Sequence, residues 1–221
     1  MKKVDKKIDF DSVLFHGLTH YEVGNIRLKI GLQRLVNIIR AKAILSRKQL
    51  YNLYGDKHFR NWQKDFCRVN WNGVNNVSIC EKKSSNSNKV SEAFRLFVEN
   101  SISLILDKKL LDELPIYANN QLEDGEFQIQ DKIDLKYVIG VAVPVLNPKE
   151  VAKHKKSKLY TREETESWIK GYYDYSINDV FKILNHYKLD LPVYSIRDGN
   201  VIKPLNEVLD EVYGKENELN L

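Results

Sequence analysis

A chain of 221 residues, 43% hydrophobic and 29% charged, carries enough apolar side chains for one large core and the polar surface of a soluble globular protein. Its net charge of +5 gathers in Lys2 to Lys7, Lys82 to Lys83 and Lys153 to Lys158, runs that suit solvated loops or attraction to an anionic partner. VIGVAVPVL at 138–146 is too short to cross a bilayer, MKKVDKKIDFD has no apolar leader behind its lysines, and Cys67 and Cys80 supply neither a disulfide framework nor a zinc set, so the expectation is a cytoplasmic protein without membrane contact that folds without metal.

The first predicted element is VLFHGLT at 13–19, an apolar run bounded by Gly and Thr that reads as a buried strand. It delivers His16 and Gly17 to the place where core gives way to cleft, a position that suits a ligand-binding histidine. A half-buried histidine bonded to backbone is the alternative. In GLQRLVNIIRAKAILSRKQLYNL, Leu32, Leu35, Val36, Ile39, Ala43 and Ile44 recur at spacings of three and four, which predicts one amphipathic helix with Gln33, Arg34, Arg40 and Lys42 outward and Arg47 just past its apolar face. The interval 51–76 holds Trp62, Phe66 and Trp71 without a period and reads as an excursion over a pocket.

NNVSICEK at 75–82 is a short strand with Val77 and Ile79 in alternation, and KKSSNSNK at 82–89 a polar loop. VSEAFRLFVENSISLILD divides into a helical first half and a strand-like second half, and Pro115 stops the helix of KKLLDELP. An acidic loop follows: Asp124-Gly125 is a turn signal, Glu126 opens the alternating strand FQIQ, and IDLKY connects to the buried strand VIGVAVP, closed by Pro144. Beyond the lysine-rich KEVAKHKKSK, residues 161–188 are helical, with Thr161 and Glu164 as a capping box and Ser176 or Asn178 capping DVFKILNHY; a hairpin or loop and a terminal helix end the chain. The order predicts an α+β fold with a mixed or antiparallel sheet, 1–146 forming the core and 147–221 a mainly helical appendage, separate or part of the same domain. Neither GxGxxG nor a Walker A loop is present.

VLFHGLT, the leucine and isoleucine helix ending AKAILSRKQL, VSICEK, SISLILD and DGEFQI leading into DLKYVIGVAVP together resemble the ADP-ribosyltransferase superfamily over residues 13–146. The resemblance implies a split sheet, NAD as substrate, no metal, and a macromolecular acceptor that is protein or nucleic acid. It assigns catalysis to Glu126, His16 and Ser78: Glu126 polarises the ribose 2′-hydroxyl, His16 orients the dinucleotide, and Ser78 frames the nicotinamide and holds the carboxylate. Gly17 admits the nicotinamide amide, Arg47 reaches the pyrophosphate, Tyr54 lines the NAD site, and Glu123 or Asp124 selects the acceptor. The chemistry agrees, since cleavage of the nicotinamide bond passes through an oxocarbenium-like state that a carboxylate stabilises.

The second strand lacks the family's Tyr, so a stacking aromatic must come from Tyr51, Tyr54 or Phe94. Each residue also has a plainer reading: Glu123, Asp124 and Glu126 as a solvated turn, Ser78 as an ordinary strand serine. Two other functions compete, beside a third possibility that the basic segments bind nucleic acid without catalysis. One is an RNA 2′-phosphotransferase on the same fold. The other is a non-enzymatic interaction module, bacterial or viral, acting as toxin, defence or counter-defence factor and using the aromatics of 54–71 as its contact surface.

Overall fold

The computed structural model describes residues 7–18, 25–54, 75–84, 89–117, 125–144, 148–173 and 177–214. In chain order the elements are β1 (Val13–Gly17), α1 (Asn25–Ala41), β2 (Ala43–Leu45), α2 (Arg47–Tyr54), β3 (Asn76–Cys80), α3 (Glu92–Phe97), β4 (Ser103–Asp107), α4 (Leu110–Glu113), β5 (Ile116–Tyr117), β6 (Glu126–Gln130), β7 (Lys132–Asp134), β8 (Val138–Val143), α5 (Pro148–Ser157), α6 (Arg162–Tyr173), α7 (Ile177–His186), β9 (Val193–Ser195) and α8 (Leu205–Tyr213). Seven strands form one sheet in the order β5-β6-β3-β1-β4-β8-β9, and β2 pairs with β7 in a second. The pairing is antiparallel except between β8 and β9, so the sheet is mixed and the fold α+β, as the element order predicts.

Alternation along the strands divides the core in two. Leu14, Val77, Ile79, Leu104, Leu106, Ile129, Val141 and Val143 leave the sheet on one face, where they meet Leu35 and Ile39 of α1 and the apolar sides of α5 to α8. Val13, Phe15, Cys80, Ile105 and Ala142 leave on the other, beneath Ala93 and Phe94 of α3. Phe15 is held edge-on between Phe10 and Phe94, with ring centroids 5.3 and 5.0 Å away.

Four sequence expectations need correction. The helix predicted over 31–53 is broken: Lys42 takes a left-handed conformation (φ 54°), α1 stops, and Ala43–Leu45 pair with Lys132–Asp134 before α2 begins at Arg47. Ala43 and Ile44 are buried by strand pairing, and their match to the helical spacing is a coincidence of sequence. For the same reason IDLKY contains a strand and a 3-10 turn (Leu135–Tyr137), not a bare connection. The lysines at 153–158 fall mostly on α5 and not in a loop. Residues 193–195, expected as part of a hairpin or loop, add a parallel strand to the main sheet.

The predicted capping box is present: the Thr161 hydroxyl accepts from the Glu164 N–H (3.2 Å) and the Glu164 carboxylate from the Thr161 N–H (2.8 Å). Whether Ser176 caps the next helix lies outside the described residues, and α7 starts at Ile177, one residue before the other candidate, Asn178. Among the described residues no helix is long and apolar enough to cross a membrane.

Candidate active site

β1 is buried at every residue except His16, and β3 at every residue except Ser78. Two strands that are otherwise core thus each expose one polar side chain in part, and both are residues singled out in the sequence. Glu126, likewise half-buried, heads the adjacent β6. One row crosses the three strands: Phe15 of β1 pairs with Cys80 of β3, and Cys80 with Glu126 of β6. Two strand spacings separate β1 from β6 along that row, roughly 10 Å.

β1 and β3 are registered at that one pair. Beyond it no further rung is formed, and the Ser78 carbonyl takes the His16 Nδ1–H at 2.8 Å. A carbonyl only accepts, so Nδ1 carries the proton and Nε2 of the neutral ring is left as an acceptor. The ring stays neutral because its pKa is lowered from 6.5 to about 4, chiefly by desolvation; the Ser78 hydrogen bond opposes this and the nearby Arg34 guanidinium adds to it.

Glu126 and Ser78 leave their strands on the Cys80 face, whereas His16 leaves β1 on the Leu14 face. The structure therefore joins His16 to Ser78 through the Ser78 backbone and not through its hydroxyl. Glu126 lies diagonal to Ser78 on their shared face, within reach of a long side chain. Its charge is felt at Cys80, whose thiol is pushed well above the ordinary range by burial, then by Glu126 and Glu81.

A Cβ at Gly17 would overlap the Phe97 carbonyl oxygen, so the missing side chain lets the end of α3 pack on β1. Arg47 is the first residue of α2, on a separate helix from Arg34. Phe94 is 3% exposed and locked against Phe15, which makes it core and removes it as a stacking aromatic. Tyr51 is half-buried on α2. The Tyr54 side chain, Glu123, Asp124, Trp62, Phe66 and Trp71 lie outside the described residues.

Three neighbours were not read as part of the site from the sequence. Arg34, expected outward, is half-buried where α1 passes the end of β1, and its guanidinium donates to the Leu18 carbonyl at 2.6 Å. Asn76 and Gln128 are buried beside Ser78, the Asn76 amide donating to Gln128 Oε1 at 3.0 Å. Gln128 faces Ser78 in the ladder. The alternation of FQIQ against NVSIC was the signal for it, because it sets Glu126 and Gln128 on one face and Phe127 and Ile129 on the other. An open cavity of about 540 Å³ lined by Ile39, Lys42, Leu135, Lys136, Tyr187 and Leu189 touches none of these residues. No group of three metal-ligating side chains occurs among the described residues.

No family model matches the chain, and no curated protein matches it. Among solved structures it is similar to Thermus sp. 2.9 DarT in complex with carba-NAD+, at 12% identity and a TM-score of 0.39, over 86% of this chain and 97% of that one. A likeness of that degree leaves the functional reading to the site itself.

Proposed function

We propose that the chain is an NAD-dependent ADP-ribosyltransferase that transfers ADP-ribose to a macromolecular acceptor. The observation that supports this reading most is the pair of half-buried polar interruptions in otherwise buried strands, His16 and Ser78, with the His16 ring bonded to the Ser78 carbonyl at 2.8 Å and Glu126 heading the next strand. In this reading NAD lies at the opening between β1 and β3. Neutral His16 accepts a hydrogen bond from a ribose hydroxyl at Nε2 and fixes the dinucleotide, a contribution of orientation. Glu126 polarises the 2′-hydroxyl and stabilises the positive charge that grows at the anomeric carbon as the bond to the nicotinamide nitrogen breaks. Nicotinamide departs with the electron pair, and the acceptor's nucleophile forms the new bond and releases its proton.

The test is nicotinamide release from NAD by wild type beside Glu126→Gln, with cell lysate as acceptor source, untreated or digested with nuclease or protease. Wild type is expected to release nicotinamide and Glu126→Gln to lose about a hundredfold or more. The digestion that abolishes lysate-dependent turnover identifies the acceptor as nucleic acid or protein. Absence of release, with no NAD-dependent rise in melting temperature, overturns the reading.

A second reading, an interaction module, is favoured by the turn between α5 and α6. Leu159 is 92% exposed there, flanked by exposed Tyr160 and Trp168, and Lys155 stands over both rings at 4.6 and 3.9 Å. Trp and Tyr are enriched among the residues that carry most of the energy of a protein contact.

A further inference from the structure

We propose that Ser91 is a positioning residue for Glu126, acting through the Gly125 turn; this rests on the catalytic reading of Glu126. Ser91 is the N-cap of α3 and accepts the Phe94 N–H at 3.2 Å. An ordinary helix cap faces solvent, but this one is completely buried. Its O–H donates to the Glu81 carbonyl at 2.6 Å, and its own N–H donates to the Lys82 carbonyl at 2.7 Å. One serine therefore binds the end of β3 to the first turn of α3.

The same residue supports the turn that leads into β6. The Glu81 N–H donates to the Gly125 carbonyl at 2.9 Å, so Ser91 and Gly125 hold the two sides of one peptide segment. Gly125 has φ +79°, and a Cβ there would stand 2.6 Å from Ser91 Cβ and 2.9 Å from its Oγ. Only glycine fits over the serine. The next residue is Glu126, the first of its strand, paired with Cys80. The Glu81–Gly125 bond continues that same ladder one residue before the strand begins, so the Ser91–Glu81–Gly125 circuit sets the end of β6 from which Glu126 projects. Removing Oγ frees the Glu81 carbonyl, loosens the turn and lets the carboxylate leave the reacting ribose.

The experiment compares wild type, Ser91→Ala, Gly125→Ala and, as a control for loss of a helix cap elsewhere, Thr161→Ala. Nicotinamide release gives kcat and KM for NAD, and hydrogen exchange is followed in peptides covering 80–82 and 125–127. Ser91→Ala is expected to lower kcat by about tenfold to a hundredfold with KM for NAD within about twofold, and to speed exchange at the Glu81 amide. Gly125→Ala should do the same, while Thr161→Ala leaves kcat alone. Unchanged exchange at Glu81, or retained kcat in both Ser91→Ala and Gly125→Ala, overturns the proposal. So does a fall in kcat that Thr161→Ala reproduces. If wild type releases no nicotinamide, the reading of Glu126 fails and this role with it; that case is recognised because Ser91→Ala still accelerates exchange at Glu81.

Discussion

His16 is kept neutral by its surroundings, and this has a sign that can be measured. In the unfolded chain its imidazole titrates near 6.5; folded, desolvation first and Arg34 second bring it to about 4 against the pull of the Ser78 carbonyl. Between those values the unfolded chain binds the extra proton, so stability rises with pH across the window. Acidification from 6.5 to 4 should cost up to about 3 kcal/mol through this group, and nothing more below 4. Urea unfolding of wild type and His16→Gln at steps between pH 4 and 7 checks it: the variant should show a flatter dependence. Equal slopes would mean that the ring is solvated in the fold. Cys80 is the quieter counterpart, a buried thiol pushed upward first by desolvation and then by Glu126 and Glu81, and so inert at neutral pH. The strand positions of His16, Ser78 and Glu126 were legible in the sequence because the first two interrupt apolar strands and the third heads an alternating one. Arg34 was not, because its half-burial depends on where α1 passes relative to β1, and a helical period records only which face is apolar.

Among the elements, the five-residue and longer strands β1, β3, β4, β6 and β8 were readable as apolar or alternating runs. β2, β7 and β9 have three residues each, too few to establish a period, and they were missed or absorbed into neighbours. The α5–α6 connection shows the converse, a signal that contradicts the usual chemistry. After α5 the Tyr160 N–H returns to the Lys155 carbonyl at 3.2 Å, closing a turn that ordinarily has glycine at its left-handed residue. Here that residue is Leu159, at φ 63° and 92% exposed. Its side chain contributes little to the fold and its backbone carries a penalty of about 1 kcal/mol. Leu159→Gly is therefore expected to raise stability by about that amount in thermal or urea unfolding. A loss of stability instead would show that Leu159 has packing in solution. Under the second functional reading the same variant removes the apolar anchor while keeping the fold, so stability and binding should move in opposite directions.

At the scale of the whole molecule the question is whether residues 147–221 are separable from the rest. β9 pairs in parallel with β8 at Val141↔Val193, Ala142↔Tyr194 and Val143↔Ser195. Ile169, Ile177, Val180, Leu184, Val193, Leu205, Val208 and Leu209 are each 7% exposed or less and belong to the same cluster as Leu14 and Leu104. Polar ties close the C-terminal elements on one another: Arg162 of α6 meets Asp210 of α8 at 2.9 Å, and Glu211 accepts from both Lys149 and Lys203, which lowers its pKa to about 2. Those ties sit at the surface and add little, so the apolar contacts decide the outcome. Burying one such aliphatic side chain is worth about 1.5 to 3 kcal/mol, so eight of them contribute a gross term at least comparable with the roughly 5 to 15 kcal/mol by which a whole domain is stable. A fragment ending at residue 146 would expose β8 as a bare apolar edge together with the face that these residues cover. It is expected to be unfolded or aggregated, and the full chain to melt in one transition seen alike by near-UV and far-UV circular dichroism. A fragment of 1–146 with a dispersed amide spectrum and its own cooperative melt would show instead that the C-terminal segment is an addition to a core already able to fold.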